Sequence, residues 1–149
     1  MFLITPEPLD PRPLVEAVRT DDAGAVVLFY GVVRNENLGR RVLYLEYDAY
    51  EAMALKKMRE VADEVRARFP VTGLGIAHRT GRVEIGETSL LVAVATPHRK
   101  EGFEACHFAV DRIKETVPIW KKEVWEDGSE WVEGHVPEVP RAAEGARPS

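Results

Sequence analysis

The run from Thr88 to Thr96, TSLLVAVAT, places six small or branched apolar residues in a row. Such a segment suits a central strand, since a polar-alternating pattern would be needed if one face met water. A strand of that kind demands covering elements, and two stretches have the required period. From Glu51 to Phe69 the residues Ala54, Leu55, Met58, Val61, Ala62, Val65 and Phe69 recur at three- and four-residue spacing. Pro70 ends this helix. A second helix is predicted from Arg99 to Thr116, with Phe103, Cys106, Val110, Ile113 and Val117 as its inward stripe and Pro118 as its stop.

Around these lie shorter elements. Phe2-Leu3-Ile4 is a brief apolar start, and LDPRPLVEAVRT reads as a short helix capped by Asp10 with Pro11 at its first position. Ala25 to Val33, AVVLFYGVV, is expected to be a strand buried on both faces, and Val42 to Tyr50 an alternating strand paired with it as a hairpin across Asn35 to Gly39. Thr72 to Arg79 reads as a further strand, followed by a short piece at Arg82-Val83-Glu84 between Gly81 and Gly86. Ile119 to Trp125 and Glu130 to Glu133 form a last hairpin, turned at Asp127-Gly128. Strands grouped as hairpins rather than strictly alternating with helices define an α+β class, two main helices on an antiparallel or mixed sheet. One domain over 1–135 is expected, with 136–149, rich in Pro, Ala and Gly, as a flexible tail.

Composition narrows the chemistry. A net charge of −5 disfavours nucleic acid and anionic membrane as partners, so an anionic ligand must meet a local basic pocket. The single cysteine, Cys106, excludes an intrachain disulfide, fits a reducing cytoplasm, and sits on a helix's inward stripe, where it behaves as a small apolar residue rather than a nucleophile. The N-terminus lacks signal-peptide character and no apolar run is long enough to span a bilayer. His78, His107 and His135 show no metal-ligand spacing, and neither a metal nor a cofactor is expected.

Three places could carry chemistry. At Thr96-Pro97-His98-Arg99-Lys100 a strand runs out into a helix start, whose free N–H groups and dipole attract an anion beside three basic side chains; a solvated basic turn is the alternative. Lys114 lies in the last turn of its helix among apolar neighbours, where lost hydration would lower its pKa; simple complementation of the helix dipole is the competing reading. In the strand that follows, Lys121 points with Ile119 and Glu123, and Lys122 points oppositely. Arg34 ends an apolar strand in which Gly31 allows close backbone approach; it could equally stand in water.

Together FYGVVRNENLG, ATPHR before a helix, and IKETVPIWKKE followed by GSEWVEG resemble the signature blocks of the molybdopterin synthase large-subunit family, in its order and approximate spacing over residues 24 to 134. The resemblance implies an α/β hammerhead-like fold with a small additional β subdomain, and a homodimer within a heterotetramer. A small ubiquitin-like carrier would thread its C-terminal Gly-Gly thiocarboxylate into each large subunit. The implied reaction moves sulfur to cyclic pyranopterin monophosphate in two steps, giving the molybdopterin dithiolene. By matching positions, Arg34, His98 and Arg99 would hold phosphate or pterin, Lys114 and Lys121 would be the catalytic lysines, and Lys122 and Glu123 would lie beside the substrate. Some relatives carry an arginine after the WVE block; here His135 or Arg141 would have to substitute. Two other classes stay open on the residues alone: a non-catalytic module that docks a ubiquitin-like partner, and a regulatory domain that binds a small phosphorylated ligand.

Overall fold

The computed structural model describes residues 1–132. The expectations for Glu133, His135, Arg141 and a tail over 136–149 lie outside the described residues. Ten strands and three helices follow in the order β1 (Phe2–Thr5), α1 (Pro11–Val18), β2 (Ala25–Val32), β3 (Glu36–Asn37), β4 (Arg40–Arg41), β5 (Tyr44–Ala49), α2 (Glu51–Arg68), β6 (Gly73–Arg79), β7 (Gly81–Glu84), β8 (Thr88–Thr96), α3 (Arg99–Thr116), β9 (Ile119–Trp125) and β10 (Gly128–Val132). One sheet has the order β1-β6-β8-β2 and a second β10-β9-β5-β7, with β3 and β4 forming a two-stranded ribbon. All pairings are antiparallel except β1 with β6.

The apolar strand β8 is central, as its composition requires. Its even-numbered residues Leu90, Val92 and Val94 join Leu74 and Ile76 beneath α2 and α3. The odd-numbered Leu91, Ala93 and Ala95 meet Leu14 and Val18 of α1 on the opposite face. Asp10 caps α1 by accepting the Arg12 N–H at 3.0 Å, with Pro11 at the first helical position. That helix lies so close to β6 that a Cβ on Gly73 would stand 2.1 Å from the Val18 carbonyl oxygen. A bidentate pair from Arg112 to Glu64, at 2.8 and 3.1 Å, clasps α3 to α2.

Four expectations are corrected. β2 and β5 do not form a hairpin: β2 runs along β8 over its whole length, and β5 lies in the other sheet between β7 and β9. The reason is polarity. Beside the equally apolar β8, β2 finds a full-length mate, whereas Glu46 of β5 meets Lys122 of β9 at 3.2 Å. Nor is β2 buried on both faces, because it is an edge strand whose Val26, Tyr30 and Val32 are 39%, 46% and 49% exposed. In α3 the inward stripe is built from Gly102, Ala105, Cys106, Ala109, Val110 and Ile113, while Phe103 is 64% exposed. A Cβ at Gly102 would already lie 2.9 Å from Thr96 Oγ1 and 3.1 Å from Val27 Cγ2, so this face has no room for a ring. Finally, the last turn is at Glu126-Asp127, and Gly128, with φ of 148°, opens β10.

The contact at Gly73 gives a direct test of this packing. Gly73→Ala must push α1 away from the sheet because the obstacle is backbone, and should cost about 2 to 3 kcal/mol in urea denaturation. Gly39→Ala, whose Cβ would meet no atom within 4 Å, isolates the backbone contribution of a left-handed glycine without such a clash.

Candidate active site

A cleft of about 280 Å³ lies between the two sheets and the end of α3. Gly31, Ser89 and Leu90 come to it from the first sheet, Tyr47, Ile119 and Lys121 from the second sheet and its approach, and Ile113, Lys114 and Val117 from α3. A second hollow of about 170 Å³ shares Gly31, Tyr47, Ser89, Lys114 and Lys121 with it and extends to Arg34, Asn37 and Glu123. The two hollows are one continuous groove with Lys114 and Lys121 at its middle. Chain order brings them there simply: Pro118 stops α3 one residue after its C-cap, and β9 folds back so that Lys121 faces the helix end it has just left.

Lys121 is the desolvated lysine. Burial lowers its pKa, the positive charges of Lys114 and Arg34 push the same way, and only the carboxylate of Glu123 opposes them. Lys114 is exposed at the groove's rim, across the gap from Lys121. Glu123 is buried and engaged on both oxygens: Asn37 Nδ2 donates to one at 2.6 Å and Trp125 Nε1 to the other at 3.1 Å. This ties the β3–β4 ribbon to β9 and keeps Arg34, just ahead of the ribbon, against the groove.

His78 was assigned no function from the sequence, yet its ring borders the cleft. It is the last residue but one of β6, 6% exposed, and meets Tyr47 edge to face at 4.9 Å. Burial holds its pKa down to about 4; the Lys114 charge adds to this, and the hydrogen bond to the Arg79 carbonyl works against it. Tyr47, raised by burial, is hydrogen-bonded to Ser89, whose hydroxyl reaches the Gly31 carbonyl at 3.2 Å. The available signal was the strand alternation that sets His78 on the same face as Leu74 and Ile76.

The remaining sequence-derived residues lie elsewhere. Lys122 projects from the other face of β9, paired to Glu46 and 5.7 Å from the Trp131 ring. His98 and Arg99 stand exposed at the start of α3. A helix rises about 1.5 Å per residue, so roughly 22 Å of helix separates Arg99 from Lys114 in one chain. Cys106 is buried with its thiol pushed up to about 11, unsuited to nucleophilic attack. Among the described residues no group of His, Cys, Asp or Glu could hold a metal ion, and no helix is long and apolar enough to cross a membrane.

These features define an α+β domain whose cationic groove is assembled from two sheets and a helix end. The chain belongs to the MoaE protein family, whose model matches residues 4–116. The molybdopterin synthase catalytic subunits of Halalkalibacterium halodurans and Pyrococcus abyssi are each 45% identical to it, over 88% and 89% of this chain and 84% and 90% of theirs. The crystal structure of molybdopterin synthase from Staphylococcus aureus superposes with a TM-score of 0.84 at 45% identity, over 87% of this chain and 95% of that one. A complex of subunits 1 and 2 of the molybdopterin-converting factor from Helicobacter pylori matches at TM-score 0.72 and 26% identity, over 89% and 90% of the two chains.

The buried imidazole makes stability depend on pH with a definite sign. Because His78 is harder to protonate folded than unfolded, the unfolded chain binds more protons between about pH 6.5 and 4, and stability falls as pH drops through that window. Wild type should lose about 3 kcal/mol more than His78→Gln between pH 7 and 4, read from denaturant midpoints at each pH. Equal losses would place the ring in contact with water.

Proposed function

We infer that this chain is the catalytic subunit of a molybdopterin synthase, moving sulfur from the C-terminal thiocarboxylate of a small ubiquitin-like carrier to cyclic pyranopterin monophosphate. The observation that carries the reading is the convergence of Lys114, Lys121 and Arg34 on one groove in a MoaE family member. An extended Gly-Gly tail has no side chains to exclude it from a narrow groove, and its anionic end is matched by three cations. Holding the sulfur against the carbon it attacks supplies proximity, and Lys114 and Lys121 stabilise the negative charge that develops as the carrier's carbonyl is attacked. Lys121, poorly hydrated, is the better placed to give up or share a proton.

Glu123 holds the ribbon that follows Arg34 and so shapes the groove beside the substrate. Lys122, paired with Glu46, lies on the face of β9 turned away from the groove. His98 and Arg99 are too far from Lys114 in the same chain to share one small substrate with it, so a homodimer must supply them: the helix start of one protomer completes the groove of the other, capturing the phosphate. Two large subunits with two carriers make a heterotetramer, and we place the reaction in the cytoplasm.

Purified chain, thiocarboxylated carrier and cyclic pyranopterin monophosphate should together yield dithiolene. Lys114→Ala should lower the single-turnover rate about 100-fold or more while leaving the denaturation midpoint unchanged, since an exposed lysine adds little stability. Undiminished turnover would exclude the lysine from the chemistry. The shared groove has its own test. Lys114→Ala and Arg99→Ala chains, each inactive alone, should recover about a quarter of wild-type activity after mixing and exchange, because half the dimers then hold one intact site of two. Mixtures that stay inactive would confine each active site to one protomer.

A further inference from the structure

The groove is rich in donors and poor in acceptors. While charged, Lys114, Lys121 and Arg34 have no lone pair to offer. Glu123 spends its two oxygens on Asn37 and Trp125, and the Tyr47 and Ser89 hydroxyls are engaged with each other and with Gly31. Glu36, exposed, lines only the outer hollow, so the inner surface stabilises negative charge but has no carboxylate to take a proton away.

His78 is different. Its Nδ1 lies 2.7 Å from the carbonyl oxygen of Arg79, and a carbonyl can only accept, so Nδ1 carries the hydrogen. Nε2 is then the acceptor nitrogen of a ring that borders the cleft. The ring is fixed by Tyr47 at its edge, and Ile4 and Leu90, its register neighbours on β1 and β8, bring no charge. The titratable groups that share its cleft are Tyr47, Lys114 and Lys121, and no carboxylate lines this part of it.

Resting on the sulfurtransferase reading above, we propose that His78 is a further catalytic residue, whose Nε2 accepts the proton of the water that frees the carrier from the sulfurated substrate. Once the thiocarboxylate sulfur has bonded to a substrate carbon, it still bears the carrier's acyl group, which makes a thioester. Water attacks that carbonyl carbon, a C–O bond forms, and one water proton passes to Nε2. The C–S bond then breaks with its electron pair on sulfur, leaving a thiolate on the substrate. The carrier departs as a carboxylic acid that loses its remaining proton to solvent; no oxidant or reductant is consumed. The imidazole is neutral before the tail arrives, hence able to accept, and the growing negative charge beside Lys114 offsets the cation that otherwise opposes its protonation.

The test uses full-length chain, thiocarboxylated carrier and cyclic pyranopterin monophosphate, followed by intact-mass spectrometry of the carrier. His78→Asn keeps an N–H for the Arg79 carbonyl and removes the base. It should slow dithiolene release about 100-fold or more and trap carrier bearing the added mass of substrate. Added imidazole should restore release. Wild-type rates in this variant, or lost activity with unmodified carrier, would overturn the proposal, because either shows that thioester cleavage does not wait on His78. Should the variant not fold, nitrogen NMR of the wild-type ring decides: an Nδ1–H tautomer at pH 7 is expected, and an Nε2–H tautomer rules the role out. A wild-type chain that never yields dithiolene would instead remove the sulfurtransferase reading, and this step with it.

Discussion

The register between α3 and β8 is the constraint on which the groove depends. At one end Gly102 lets the helix settle onto Thr96 and Val27, and the small residues Ala105 and Ala109 continue the close approach. At the other, Ile113 and Val117 close the core, and Pro118 turns the chain immediately into β9. Between them the Arg112–Glu64 clasp keeps the helix from rolling. Since packed interiors leave few voids, a shift at Gly102 would be passed along the rod to Lys114. Lys114 is thus placed by contacts made about three turns away.

Electrostatics in the groove is a balance of like charges rather than a set of pairs. Burial, together with the charges of Lys114 and Arg34, raises the cost of protonating Lys121, and Glu123 supplies the countercharge that acts against this. An empty groove is therefore left with unspent positive potential, which an incoming anion relieves. That arrangement explains how a chain with net charge −5 can attract an anionic tail: the attraction is local and the overall field is not involved.

Much of the fold could be read in advance because apolar period is a local property. Both long helices end where proline requires, and α3 has the predicted bounds from Arg99 to Thr116. Strand partners were not legible, since the pairing of β2 with β8 depends on which distant strand offers a matching apolar ladder. The inward face of α3 was misjudged at Phe103 for a related reason: periodicity weighs hydrophobicity, whereas the helix–sheet gap selects for small size. In the site, the alternation in β9 separated Lys121 from Lys122 correctly, whereas the desolvation of Lys121 comes from burial that the linear order does not display. His78 was weighed only as a metal ligand because its significance comes from a neighbouring carbonyl and a cavity, neither of which leaves a motif.

The length of α3 also insulates. At physiological ionic strength mobile ions damp a field over about 8 Å, far less than the distance from Arg99 to Lys114. Events at the two tips of one rod are thus electrically deaf to each other through solvent, and a phosphate seated at the first cannot tune the lysine at the second. Any dialogue between them must be mechanical, or must pass through a neighbouring protomer.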